Sequence, residues 1–366
     1  MNWFQQFSPF WRRRHSFAPF PLPRAPSITD LREWNVEVDP VSYVPPVPVG
    51  SSLKVSLHRI LIEAGIAMTP ATSSWDPRAW YALYRYGSDF AGTAPALRLY
   101  AGAIDRDPRM SAVASEEVGA GITCYLLREH LEVDHIADAY ACIQNGELTY
   151  VGSASEKRPD YFCEDRNRET VLAESKGATG TRCNIAGRID PEGWAQVGNV
   201  APTNLSLRAS CGRVVIGTHF CVQGIHPRSE TTTIIKDPDG PRGNQTRPDS
   251  DMVIRLSYAK VLRFMGQDAL AERVMLRQEI PHDLPLDDLP ELQGVQFLPL
   301  GATPFGDVIG LYAPVARTLF QQSQQSLSRV IPESLQSFGN LRGLLEGIGY
   351  ALPNGVLVCH HPEVLT

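Results

Sequence analysis

The sequence has few cysteines, and their pattern is unlike that of a disulfide-stabilised protein. Seven cysteines occur among 366 residues, at irregular spacing, and no CxxC is present. Small secreted domains that rely on disulfides have an even number at closer spacing. The pattern is instead typical of a protein in a reducing compartment, and we expect a cytoplasmic location.

Long apolar runs and an excess of basic charge are also missing. No apolar segment approaches the roughly 18 residues that a membrane helix needs, so we expect no membrane association. The formal net charge is −6, which excludes a histone-like binder but leaves room for a local basic face that binds nucleic acid. Residues 1–29 hold four arginines and no acid, yet they lack the apolar segment of a secretory signal. Their prolines also disfavour the amphipathic helix of an organellar transit peptide.

The length predicts one catalytic domain with additional segments. Residues 1–52 carry nine prolines, with tryptophans and phenylalanines interleaved among arginines. Proline disfavours both helix and central strand, while a disordered tail usually lacks so many aromatics. We predict an arm that docks on its own body, on a partner subunit or on nucleic acid, with the first two preferred. Residues 53–106 are predicted to be a helical connector, with short helices at 53–64 and 76–86.

The other end of the chain is acidic. Residues 278–316 contain no lysine or arginine, so a polyanion would be repelled from this stretch. The segment 315–350 is predicted to be mostly helical. We therefore divide the chain into the arm at 1–52, the connector at 53–106, an α/β nuclease-like domain at 107–277, and an acidic connection with a helical C-terminal lobe at 278–366.

Within 107–277 the hydrophobic pattern alternates between helix and strand. Apolar residues at three- and four-residue spacing predict one helix over 110–132. Asn145-Gly146 is a strong hairpin signal between apolar runs. The remaining predictions are strands at 136–143, 148–151, 161–164, 170–176, 213–222 and 230–236, a short helix near 190 and a long helix over 250–277.

Two of these strands carry a set of acidic and basic residues. Asp160 begins one strand, and Glu174 and Lys176 end the next. Side chains alternate faces along a strand, so Glu174 and Lys176 point the same way. Asp160 comes beside Glu174 if the two strands pair across the 165–168 turn. Two carboxylates and one ammonium would then converge.

Magnesium is a hard cation that takes oxygen ligands, commonly one or two carboxylates with water and phosphate. Asp160 and Glu174 are predicted to hold Mg²⁺, which Mn²⁺ can replace, and the backbone carbonyl of Ser175 to add a ligand. Lys176 would position or deprotonate the attacking water and stabilise the developing charge.

This arrangement resembles the PD-(D/E)xK, or restriction-endonuclease-like, superfamily over about residues 110–236. The resemblance implies a core of helix, three strands, helix and strand around a mixed sheet. It implies a Mg²⁺-dependent endonuclease acting on DNA more than RNA. Members of the family serve in restriction, phage defence, repair or mobile-element processing. We also expect partner subunits, or self-association through the arm or the C-terminal lobe.

The resemblance adds further candidate residues. An acid from the first helix is assigned to Glu117, with Glu116 as the alternative, and a polar residue of the second helix to Gln196. Arg182 and Arg188 are candidates for contacts with phosphates, as are Arg208 and Arg213. The second helix is short and interrupted by glycine, which departs from the family pattern.

Other interpretations of the same residues remain open. The set at 160–176 could be a surface hairpin with a cross-strand ion pair, or part of a catalytically silent, nuclease-like DNA-binding or assembly subunit. His219 and Cys221, with Cys163 and Cys183, could form a zinc site, although their spacing matches no standard pattern. Cys359-His360-His361 has the same status.

Overall fold

The structure is a computed structural model, and it describes residues 34–41, 52–73, 82, 85–90, 96–103, 108–152, 157–179, 182–205, 208, 211–222, 231–236, 251–278, 284, 286–287, 289–303, 306–321, 325–336, 338, 345 and 348–360. Three sheets and the helices around them make up this part of the chain. The predicted α/β class with a mixed sheet is confirmed.

The largest sheet contains seven of the described strands. They are β1 (Trp34–Val41), β2 (Ser52–Val55), β3 (Val133–Asp138), β5 (Tyr161–Asp165), β6 (Thr170–Ala178), β8 (Gly212–His219) and β9 (Thr232–Lys236). Their order across the sheet is β2-β1-β9-β8-β6-β5-β3. Strands β3, β5 and β6 form an antiparallel meander, β6 pairs with β8 in parallel, and β9 pairs antiparallel with β8 and parallel with β1.

Helices cover both faces of this sheet. The described ones are α1 (Leu57–Met68), α2 (Pro108–His130), α3 (Ala139–Gln144), α4 (Arg182–Gly187), α5 (Trp194–Gly198), α6 (Asp251–Phe264), α7 (Asp268–Met275), α8 (Ala313–Gln321) and α9 (Leu327–Leu335). Short 3₁₀ turns occur at Gly87–Asp89 and Ala101–Ala103, and a π-helical turn at Arg188–Gly193 joins α4 to α5. Helix α2 packs on β6 and on α1, while α4, α5 and the π turn pack on β6 and β8.

The predicted helix over 110–132 is confirmed by α2, but the predicted hairpin after it is wrong. Strand β3 ends at Asp138, and the chain then forms α3 in place of a longer strand. Asn145 is the C-cap of α3 and Gly146 has a φ of +78°. A left-handed glycine after a helix and a hairpin turn use the same residue pair. Strand β4 (Leu148–Tyr150) pairs with β7 (Val200–Pro202) instead.

The long helix predicted over 250–277 is two helices, α6 and α7. Gly266 has a φ of +72° between them, a conformation that glycine adopts without the steric cost of a Cβ. The apolar face of α6 packs on β3, so this helix covers the end of the meander.

The prediction of a helical C-terminal lobe is right only in part. Helices α8 and α9 lie where helix was predicted over 315–350, but the lobe also contains a five-stranded antiparallel sheet in the order β10-β11-β12-β14-β13, which was not predicted. Its strands are β10 (Glu291–Leu292), β11 (Val295–Ala302), β12 (Val308–Tyr312), β13 (Gly349–Ala351) and β14 (Val356–Cys359), and α8 packs on β11 and β12. Short apolar runs such as Val308–Tyr312 fit a buried strand and a buried helix equally well by periodicity.

Part of the segment predicted as an arm belongs to the large sheet. Strand β1 lies between β2 and β9, but β2 pairs only with residues 34–37. Among the described residues, Pro40 has a strand partner on the β9 side only, and a missing N–H is tolerated at such an edge. Residues 1–33, and most of the helix predicted at 76–86, lie outside the described residues. The helix predicted at 53–64 corresponds to α1.

The described cysteine side chains are buried and none of them is in a disulfide. Among the described residues, no helix combines the length and the apolar character needed to cross a membrane.

Candidate active site

A cleft of about 490 Å³ opens where β5 begins and β6 passes beneath α2. Residues from β5, β6, α2, the π turn and α5 line it. They include Glu116, Glu117, Lys157, Asp160, Glu174, Ser175, Lys176, Arg188, Glu192 and Gln196. The structure thus brings together the sequence-predicted triad, Glu117, Gln196 and Arg188 around a single cavity.

Hydrogen bonds from backbone amides hold the carboxylates of Asp160 and Glu174 close to each other. The amide of Asp160 donates a hydrogen bond of 3.0 Å to Glu174 Oε2, and the amide of Ser175 donates one of 2.9 Å to Asp160 Oδ2. These bonds continue the β5–β6 pairing beyond its last registered pair, Tyr161 with Ala173. The two strands therefore hold both carboxylates at the same end of the meander.

Lys176 bridges the acidic pair and the helix that follows. Its Nζ lies 2.5 Å from Glu174 Oε1 and 2.5 Å from Gln196 Oε1. Gln196 Nε2 in turn donates to the carbonyl of Arg158, at 3.0 Å. Gln196 is buried despite its polarity, and this chain fixes the ammonium from two sides.

The electrostatics of Glu174 reflect its burial beside another carboxylate. Glu174 is 1 % exposed. Desolvation and the charge of Asp160 raise the pKa of Glu174 to about 8, although Lys176 and the Asp160 amide act in the opposite direction. The N–H groups that donate to both oxygens work against this rise without cancelling it. A bound cation would favour the ionised form.

Asp160 keeps exposed surface in the cleft. Protein atoms that crowd the carboxylate displace water, and this desolvation raises its pKa. The Ser175 amide and Lys176 lower the pKa, while Asp138 and Glu116 raise it, and the net direction is upward. Both acidic residues are thus more basic than usual, as expected when like charges share a site.

The approach of α2 to β6 depends on a glycine. A Cβ at Gly177 would lie 1.8 Å from the backbone oxygen of Ser115, so no larger residue fits. On the same face of β6, Thr123 Oγ1 donates to Ser175 Oγ at 2.9 Å. This close packing carries Glu116 and Glu117 of α2 to the wall of the cleft.

Glu117 has protein partners that account for its burial. Its Oε2 accepts a hydrogen bond of 2.6 Å from Tyr86 Oη and lies 3.5 Å from Arg85 Nη1. Burial and this carboxylate raise the pKa of Tyr86 above its usual range. Tyr86 and Arg85 thus hold Glu117 at the wall of the cleft, while Glu116 is the acid of α2 whose charge raises the pKa of Asp160.

Of the arginines proposed to contact phosphate, the structure places only Arg188 at the cleft, and Lys157 is also at its rim. Arg188 is exposed and its Nη1 donates to the carbonyl of Gly177 at 2.7 Å, which holds the guanidinium at the rim. Lys157 and Glu192 form an exposed ion pair of 2.6 Å on the rim. The side chain of Arg182 lies outside the described residues. Arg208 and Arg213 do not line the cleft.

The side chain of Cys183 lies outside the described residues, and the other residues proposed for a zinc site, His219, Cys221 and Cys163, form no metal-binding group among the described ones. Among the described residues, the one group of three histidine, cysteine or acidic side chains with ligand-like spacing is His58, Asp307 and His360. It includes neither His219 nor Cys221, and His219 is buried in β8. Buried strand residues are the better description of that pair.

Sequence reasoning missed three contributors to the site. Two of them are the backbone carbonyl of Arg158 and the ion pair of Lys157 with Glu192. Their contacts depend on the fold and cannot be inferred from the residue types. Tyr86 reaches Glu117 from a different element, 31 residues earlier in the chain.

Comparisons of the chain with family models, curated proteins and solved structures found no match in any of the three. The geometry of the cleft is therefore what indicates its chemistry.

Proposed function

We propose that this protein is a metal-dependent nuclease that hydrolyses phosphodiester bonds, with DNA as its substrate and cutting within the strand as its mode. The observation that carries the proposal is the convergence of Asp160, Glu174 and Lys176 in one cleft. The connectivity of α2, β3, β5, β6, α4–α5 and β8 supports it, because a helix, a three-strand meander, a helix and a parallel fourth strand are what a restriction-endonuclease-like core implies.

The donor set fits a magnesium or manganese ion. Two carboxylates meet there, and desolvation is the largest cause that raises the pKa of each. The N–H and C=O of one strand residue point to the same side, and the Ser175 amide points to Asp160. The Ser175 carbonyl therefore faces the same side as the carboxylates. Oxygen donors of this kind suit Mg²⁺.

Each residue has a distinct role in this proposal. Asp160, Glu174 and the Ser175 carbonyl would hold the cation. When bound, the cation would lower the pKa of a water ligand and offset charge on the phosphate. Lys176, fixed between Glu174 and Gln196, orients the water and donates to a phosphate oxygen. Gln196 holds the lysine in position.

The rim of the cleft suits a nucleic acid backbone. Arg188 presents a guanidinium that the Gly177 carbonyl holds in place, and a guanidinium can contact phosphate in bidentate fashion. Lys157 adds a second cation that is already paired with Glu192, so phosphate would compete with that carboxylate. Contacts of this type are independent of sequence and weaken with salt. The proposal therefore includes no base-specific recognition by the cleft itself.

A cleavage assay tests the proposal. Supercoiled plasmid, linear duplex, single-stranded DNA and RNA would be incubated with Mg²⁺, Mn²⁺ or EDTA, and the wild type compared with Asp160→Asn and Lys176→Met. We expect metal-dependent cutting of DNA, including relaxation of the plasmid, that both variants lose. Equal cutting by the folded variants would refute the assignment.

Binding without cleavage would be the sign of the alternative, a catalytically silent DNA-binding or assembly subunit. That result would require folded wild-type protein that binds DNA in a salt-dependent manner and cuts none of the substrates with either metal. The partner subunits proposed above would then be the place to look for catalysis.

A further inference from the structure

A second cluster of ligand-type side chains lies away from the cleft. His58 is in the first turn of α1, Asp307 directly precedes β12, and His360 directly follows β14. His58 Nε2 lies 2.8 Å from Asp307 Oδ2, and His360 Nδ1 lies 2.7 Å from Asp307 Oδ1. The three ligand atoms lie within 4.8 Å of one another.

The cluster is almost closed to solvent. Asp307 is 0 % exposed and His58 is 1 % exposed, while the side chain of His360 is 8 % exposed. Thr303 Oγ1 also donates to Asp307 Oδ2, at 3.0 Å.

A buried carboxylate carries a negative charge that is costly to bury unless a positive group lies beside it. A cation bound between His58, Asp307 and His360 would supply that charge.

We propose that His58, Asp307 and His360 bind one divalent transition-metal ion, with zinc as the best chemical match. Two imidazole nitrogens and one carboxylate oxygen are donors typical of zinc, whereas magnesium takes oxygen ligands. Zinc bonds of about 2.0–2.1 Å put neighbouring tetrahedral ligands roughly 3.3 Å apart. The contacts of 2.8 and 2.7 Å with Asp307 would lengthen by about half an ångström to reach that spacing, and any pair as far apart as the 4.8 Å limit would close by about 1.5 Å.

The position of the cluster indicates a structural role. Structural zinc has four protein ligands and catalytic zinc three, with water or substrate in the fourth position. This cluster supplies three, but its burial closes the fourth position to substrate, so a water would complete a site whose role is structural. The ligands are 249 and 53 residues apart along the chain, so one ion would join α1 to the C-terminal sheet. Helix α1 packs on α2, and α2 forms a wall of the cleft. The ion would thus stabilise the position of α2 through its contact with α1.

Metal analysis of the intact protein tests this inference. The untagged chain, purified without chelator, would be analysed for bound metals as wild type, Asp160→Asn, His360→Gln and the matched control His130→Gln, a histidine at the end of α2. We expect about one zinc per chain in all but His360→Gln, which should retain only a small fraction. Zinc that is unchanged in His360→Gln would overturn the inference.

A second measurement does not depend on how well the variant folds. Asp160→Asn, stripped of metal and titrated with Co²⁺, should develop the strong visible absorption of tetrahedral cobalt, and added Zn²⁺ should displace it and raise the melting temperature. No absorption and no thermal shift would mean that protons alone hold the cluster. Neither result bears on cleavage by the wild type, so this inference and the proposed function can fail separately.

Discussion

Replacing Lys176 by methionine removes the ammonium while it keeps the unbranched shape of the side chain. The wild-type Nζ makes contacts of 2.5 Å with both Glu174 and Gln196. A single hydrogen bond to a charged group contributes about 1.5–3 kcal/mol. Leaving a buried charge without its partner costs roughly 3–5 kcal/mol.

The local electrostatics reduce that cost. The pKa of Glu174 is about 8 with Lys176 present, and loss of the lysine raises it further. Glu174 is therefore mostly protonated at pH 7 in the metal-free wild type and in the variant alike, and no bare buried carboxylate is left. We expect the free energy of unfolding to fall by only about 1–2 kcal/mol, since the variant loses the hydrogen bonds of Lys176 without leaving an unpaired charge.

The reaction should respond far more strongly. A positioned proton-transfer group contributes about 10²- to 10⁴-fold to a rate, and protonated Glu174 also binds a cation less well. Initial rates on plasmid DNA at saturating Mg²⁺ would be measured beside urea unfolding of the same samples. The control is Lys157→Met, the same change at a lysine of the same cleft whose side chain is 70 % exposed. It should lower the rate severalfold at most.

Two results would refute this reasoning. One is a Lys176→Met enzyme that cuts DNA within a few-fold of wild type. The other is an equal loss in Lys157→Met, because a general loss of positive charge near the phosphates, and not a fixed catalytic ammonium, would then explain both.

Three further predictions concern the same cleft. Glu174 has a folded pKa of about 8 against an ordinary 4.5, so the native state binds more protons between these values. The contribution of Glu174 to the stability of metal-free protein should therefore fall as pH rises from 5 to 8, by at most about 1.4 kcal/mol per pH unit, and urea titrations of Glu174→Gln should show a shallower slope than the wild type, with Asp134 and Asp165 (pKa about 7 and about 6) providing what remains. Gly177→Ala should melt several degrees lower or fail to fold, while Gly187→Ala, which has open space around it, should melt as wild type in calorimetry. Tyr86→Phe should lose about 1 kcal/mol in urea unfolding and keep most of its cleavage, because Glu117 stays on the wall; a total loss of cleavage would assign Glu117 to the reaction.

The triad could be predicted from the sequence because its information is local. Strand alternation alone puts Glu174 and Lys176 on one face, and a four-residue turn aligns Asp160 with them. The helix α2 was also predictable, since its apolar residues repeat every three or four positions. These features depend on neighbouring residues and not on the rest of the fold.

Features that depend on distant packing could not be predicted in this way. The pair Asn145-Gly146 suits a hairpin and a helix end alike, and only the pairing of β4 with β7 selects the second. Short apolar runs after residue 291 give no period that separates strand from helix. His58 and Asp307 meet only because α1 reaches the C-terminal sheet.

The parallel pairing of β1 with β9 has a consequence for shortened forms of the chain. Strand β9 reads Thr-Thr-Ile-Ile-Lys, and its first four residues are buried. Without residues 34–41, its outer row of N–H and C=O groups would be an open sheet edge, which invites strands of other molecules to add on. A chain that begins at residue 42 should therefore aggregate, whereas a chain that begins at residue 33 should keep β1 paired with the edge of β9.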